Sequence, residues 1–97
     1  MSERRFPAIQ AITMTIQDLV MTPLPKEAAE AAIHKAVLMH LLHALRRCEE
    51  KMLTNKRMSV NMWIRSLIAS VWDADLGSNE WKNELVHELS YTSDQLT

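Results

Sequence analysis

The stretch KEAAEAAIHKAVLMHLLHALRRCEEKMLT, residues 26–54, decides the fold. It holds no proline and no glycine, and most of its residues are good helix formers, so nothing local interrupts a helix across it. Pro25 suits a helix start, and Glu27 and Glu30 suit the positive end of the helix dipole. A helix over 26–54 spans roughly 42–45 Å. A compact chain of this size has a radius of gyration of only about 13 Å. Such a helix outgrows the body its own chain builds, so it kinks, projects, or is covered by a second subunit. At helical pitch Val37, Leu38, Leu41, Leu42, Leu45, Cys48, Met52 and Leu53 spread over roughly 160°, against the roughly 100° of a one-sided surface helix. Ala29, Ile33, Ala36 and Ala44 widen that arc. The helix therefore calls for neighbours on two sides. The expectation is a homodimer with Ile33, Val37, Leu38, Leu41, Leu42 and Leu45 at its interface.

The flanking segments also read as helical. All three prolines (Pro7, Pro23, Pro25) lie in the first quarter, and Gly77 is the only glycine. Over residues 6–21, Ile9, Ile12, Ile16, Leu19 and Val20 fall within roughly a 100° arc. A rival strand reading alternates Ile12, Met14 and Ile16 with Thr13 and Thr15, but it leaves Ile9 and Leu19 unexplained. Residues 22–25, Thr-Pro-Leu-Pro, form an extended link, because a residue before proline is pushed out of the helical region. Ser59 is expected to cap a helix over 60–74 with Val60, Ile64, Leu67, Ile68 and Val71 inward and Trp63 and Trp72 at the flanks. Gly77 stops it and Ser78 caps a last helix over 79–91. Trp81, Leu85 and Leu89 line the inner face of that helix, and Glu80, Glu84 and Glu88 its outer one. Residues 92–97 read as a polar, fraying tail. The expected fold is all-α: one helical domain over 1–97, four helices arranged around one long central helix, in an intersubunit helical bundle.

Composition narrows the function classes. The 97 residues allow one domain whose folding buries about 60–65% of the unfolded surface. A hydrophobic fraction of 47%, with three tryptophans, argues against disorder. The net charge of -1 attracts neither nucleic acid nor membrane over the whole molecule. Cys48 stands alone, so no intrachain disulfide forms and a reducing compartment fits. The opening Met-Ser-Glu-Arg-Arg-Phe-Pro lacks the apolar core of a signal peptide. The apolar run Ala36–Leu45 is too short, and too interrupted by His40 and His43, to span a bilayer. A cytoplasmic protein without membrane attachment is expected. Charge is unevenly placed: seven Lys or Arg against two Glu over Ala31–Trp72, and six acids against Lys82 over Asp73–Thr97. Such segregation points to an electrostatic partner or to docking of one region on the other.

Few residues are grouped for chemistry. His40 and His43 are three apart and could share a metal ion, but His34 points about 120° away from His40 and no third ligand sits one turn off. Cys48 has no paired base and lies in the apolar arc, where a free cysteine acts as a small hydrophobe. One glycine cannot build a phosphate loop. No catalytic group, cofactor or metal is expected. Arg46, Arg47, Lys51, Lys56, Arg57 and Arg65 form a basic run of the kind phosphate binding needs. The helices around Gly77 have a helix-turn-helix outline, yet the would-be reading helix carries Glu80, Glu84 and Glu88, which phosphates repel.

The order Ile12–Ile16, Leu24-Pro25-Lys26-Glu27-Ala28-Ala29-Glu30 and Met58-Ser59-Val60-Asn61-Met62-Trp63-Ile64-Arg65-Ser66-Leu67-Ile68 loosely resembles a ribbon-helix-helix repressor. That resemblance implies a strand, a helix opened by the Leu-Pro-Lys-Glu step and a second helix opened by the Ser-x-Asn step, in a dimeric DNA-binding regulator. Eight residues separate strand from helix here, and the first helix is about twice the usual length.

Seven methionines, several at the margins of the apolar stripes, suit an adaptable binding surface. The expected function is a small non-enzymatic protein-binding module of adaptor, chaperone or anti-activator type. Its partner site would be Met39, Met62 and Trp63, with Arg46, Arg47 and Arg65 steering the approach. The alternatives are the DNA-binding regulator and a small all-α enzyme with a site between subunits.

Overall fold

The computed structural model describes residues 5–97, so the first four residues of the opening segment discussed above lie outside it. Four helices follow in order: α1 Arg5–Met21, α2 Ala28–Cys48, α3 Thr54–Val71 and α4 Asn79–Gln95. No strand occurs among the described residues. Residues Ile12–Ile16, which the ribbon-helix-helix resemblance requires as a strand, lie inside α1. Ile16 is buried there while Met14 is exposed, as helical rather than alternating spacing demands.

The helix expected over 26–54 is shorter at both ends. Glu27 is extended, so α2 begins at Ala28. At its other end the chain tightens into a 3₁₀ turn, Glu49–Lys51, and then extends through Met52 and Leu53. Two contacts explain the break. Met52 turns into the core and is almost fully buried. Arg57 folds back, its Nε donating to the Glu49 carbonyl at 3.0 Å and its guanidinium meeting the Glu49 carboxylate at 3.4 Å. A helix of 21 residues is about 31 Å long. It fits within the 43 Å longest dimension of the molecule, so its length alone no longer calls for a second subunit.

The early break starts α3 at Thr54, six residues before the expected position. The Leu53 carbonyl accepts from the amides of Lys56 and Arg57. Ser59 is therefore no cap; it sits within α3 and its Oγ donates to the Asn55 carbonyl at 3.0 Å. α3 ends at Val71, short of the expected residue 74, in turns closed by Asp73 on Ser70 and Ala74 on Val71. Gly77 has φ +86, the left-handed conformation that stops the segment before α4. Beside it Leu24 of the proline link donates its amide to the Asp75 carbonyl at 3.3 Å, tying the link to the α3–α4 turn. Ser78 caps α4 as its sequence suggests, its Oγ accepting from the Trp81 amide at 3.2 Å.

The expected fraying tail is helical instead. α4 continues to Gln95 and buries Thr92, Ser93 and Leu96. Asn61 of α3 anchors it, Nδ2 donating to the Ser93 carbonyl at 2.7 Å and to the Ser93 hydroxyl at 2.8 Å. These bonds satisfy polar groups that the buried position would otherwise strand. α1 packs on α2, α2 on α4, α4 on α3 and α3 on α1, a ring in which α2 lies diagonal to α3. The core is drawn from all four helices, with Ile16, Leu38, Leu42, Leu45, Ile64, Leu85 and Leu89 fully enclosed.

Candidate functional site: an apolar cleft between α3 and the end of α4

The helical spacing of α3 places Thr54, Arg57, Met58, Asn61 and Met62 on one stripe. Leu96 and Thr97, beyond the end of α4, face that stripe across a cleft of about 300 Å³. The floor is Asn61, which is 8% exposed and holds the last turn of α4 in place through Ser93. One end is set by Arg57, held on Glu49. Over these fixed parts stand two flexible side chains: Met58 is 61% exposed and Met62 is 69% exposed. The floor and one end are held by hydrogen bonds, while the rim is apolar. Such a site suits an apolar guest of variable shape.

The six residues expected at a partner site do not come together. Met62 lies at the α3–α4 cleft. Its neighbour Trp63 points to the other side of α3, where Nε1 donates to Oε1 of Gln17 in α1 at 2.8 Å. Trp63 is half-buried between two shallow depressions, one of about 180 Å³ against Ile9 and Thr13 and one of about 120 Å³ against Gln17 and Met21. Met39 is half-buried against the core. Arg46 is engaged on α4: Nε donates to Thr92 Oγ1 at 2.8 Å, Nη2 donates to the Glu88 carbonyl at 3.0 Å and pairs with the Glu88 carboxylate, and the guanidinium lies 4.6 Å from the Tyr91 ring centre. It holds two helices together and is not a steering charge. Arg47 and Arg65 are exposed, as a steering role needs.

The Arg46 hydrogen bond draws the Glu88 carboxyl below its ordinary range. Burial opposes that shift, and the charges of Arg46, His43 and His87 reinforce it.

The expected dimer surface also divides. Leu38, Leu42 and Leu45 are fully enclosed by their own chain and cannot face a second copy. The reason is the ring arrangement, in which α1 and α4 together cover the leucine face of α2. Leu41 is half-buried, and Ile33 and Val37 are exposed.

His34 donates from Nε2 to the Leu19 carbonyl at 2.8 Å, joining α2 to α1, while His40 and His43 are exposed. Among the described residues no three His, Cys, Asp or Glu side chains gather as metal ligands. No described helix is long and apolar enough to cross a membrane.

Of the cleft residues that the sequence does not mark as a site, Arg57 and Met58 fall between the helices expected over 26–54 and 60–74, and Thr54 and Asn61 fall in different ones of those two helices, so no single stripe joins them there. The spacing Thr54, Arg57, Met58, Asn61, Met62 was the available signal once helix is extended back to residue 54. The class defined by fold and cleft is a small all-α helical protein with an open apolar groove at one end. No known protein family, characterised protein or solved structure matches the chain.

Proposed function

We propose that the protein is a small non-enzymatic protein-binding module, of adaptor, chaperone or anti-activator type, that takes apolar side chains of a partner helix into the α3–α4 cleft. One observation carries this reading: Met58 and Met62, one turn apart, stand exposed over a cleft of about 300 Å³ whose floor and end are pinned by hydrogen bonds. Leaving two large apolar side chains in water beside an open cleft is unfavourable unless something covers them. An amphipathic helix with apolar residues at i and i+3 or i+4 matches the groove. Arg65, exposed on α3, would add charge steering for an acidic partner. A cytoplasmic setting accords with the unpaired Cys48.

Selection of helical peptides on the immobilised protein tests this, with amide chemical shifts locating the site. The expected peptides carry paired apolar anchors, perturb residues 54–62 and 96–97, and lose binding to Met62→Glu. Selected peptides that perturb only residues outside this cleft would refute the site.

A role on duplex DNA has less support. Within the basic run, Arg46 is bound to Glu88 and Arg57 to Glu49.

A further inference from the structure

We propose that the outward face of α2 pairs with the same face of a second copy of this chain, the two helices running antiparallel. The inward side of α2 is already filled. His34 bonds to α1, Lys35 lies over the Trp81 ring of α4 at 5.1 Å, and Arg46 binds Glu88. On the opposite side Ile33 and Val37 stand in solvent at 64% and 42% exposure. Ala36 and Ala44 flank them with single methyl groups, so another helix can approach to about 8–10 Å.

The surface is self-complementary, which identifies the covering body as a second copy. A two-fold axis level with the Leu38–Met39 peptide brings Ile33 level with Ala44 of the second copy. Ile33 thus meets a small side chain toward each end of the seam, while Val37 and the exposed His40 of the second copy come level at its middle, and symmetry repeats each match. Glu30, exposed in the first turn of α2, comes level with Arg47 of the second copy, exposed in the last turn. Two symmetry-related pairings of opposite charge thus lie at the two ends of the seam. Parallel pairing of the same face sets Glu30 against Glu30, Arg47 against Arg47 and Ile33 against Ile33, so charge and shape both select the antiparallel arrangement.

The pairing does not rest on the function of the cleft. Because α3 lies diagonal to α2, the dimer leaves both Met58–Met62 clefts uncovered. It becomes a two-headed binder, in which two linked sites on one target raise avidity without any new contact.

Sedimentation equilibrium of the full chain tests the pairing. At micromolar concentration the mass should be twice the 11.2 kDa of the chain. Ile33→Arg should weaken self-association about 100-fold with helical circular dichroism unchanged. Glu30→Arg and Arg47→Glu should each weaken it about 10-fold, and the two together should restore it. A wild-type monomer at these concentrations overturns the proposal, as does an Ile33→Arg variant that stays dimeric. If Ile33→Arg loses helicity, the charge exchange decides: a double variant no stronger than the single ones overturns the antiparallel register.

Discussion

Arg46 does at one position what several weaker contacts do elsewhere. It stands in the last turn of a helix that otherwise turns leucines inward, and its guanidinium reaches α4 at Thr92, Glu88 and Tyr91 together. A planar donor fork and a flat cation make this possible, and lysine offers neither. Arg46→Lys is therefore not conservative here and should cost about 1–2 kcal/mol in chemical denaturation. The pair also carries a pH signature. The carboxyl of Glu88 has its folded pKa below the unfolded one, which for glutamate is about 4.3. Its contribution is fully present above the unfolded value and is lost as pH falls through the lower folded value. Acid titration of the thermal midpoint should fall less steeply in Glu88→Gln than in the wild type below about pH 4. Parallel curves for the two proteins would show that the pair adds nothing to stability.

Helix existence was legible because it depends on local chemistry, whereas the C-terminal ends of α2 and α4 were not, because they depend on distant contacts. Prolines confined to the first quarter and a lone glycine leave the backbone little choice but helix, and the link at 22–25 and the Ser78 cap lie where their residue types put them. Glu49-Glu50-Lys51-Met52-Leu53 contains no helix breaker. The break there is set by Met52 entering the core and by Arg57 meeting Glu49, contacts invisible to a local reading. That one displacement hid the cleft, since Arg57 and Met58, which fall between the expected helices, lie in the first turn and a half of α3 and join Thr54 to Asn61 and Met62. The end of α4 was misread for a similar reason: Thr92 and Ser93 are polar, but Arg46 and Asn61 hold them inside. Where an end is local, a local substitution should move stability. Gly77 sits at φ +86, with Leu24 Cδ1 3.4 Å from where a Cβ would stand, an ordinary contact distance. The cost of Gly77→Ala is then conformational rather than steric, and about 1–2 kcal/mol of lost stability is expected by urea denaturation. A neutral result would mean that the α3–α4 turn relaxes to a different backbone conformation.

Charge distribution over the folded chain bears on the choice between a protein partner and DNA. The basic middle and acidic end of the sequence meet partly within the fold, where Arg46 of the first is joined to Glu88 of the second. A second cation, Arg57, is joined to Glu49. Much of the segregation read along the chain is thus internal complementarity, and what remains exposed includes Arg47 and Arg65 on diagonal helices. Phosphate binding draws its strength from several cations acting on one backbone together. Arg47 in α2, the exposed Lys51 in the turn after it and Arg65 on the diagonal α3 supply only part of that, against a net charge of -1. Antiparallel α2 pairing weakens the case further, because each Arg47 then lies level with a Glu30. Duplex DNA at ~150 mM salt should therefore bind no tighter than the roughly 10⁻⁴–10⁻⁶ M typical of non-specific contact. A salt titration by fluorescence anisotropy decides the matter. Sub-micromolar binding that is lost in Arg47→Ala and Arg65→Ala would make these arginines a phosphate site and move the function from protein capture to nucleic-acid regulation.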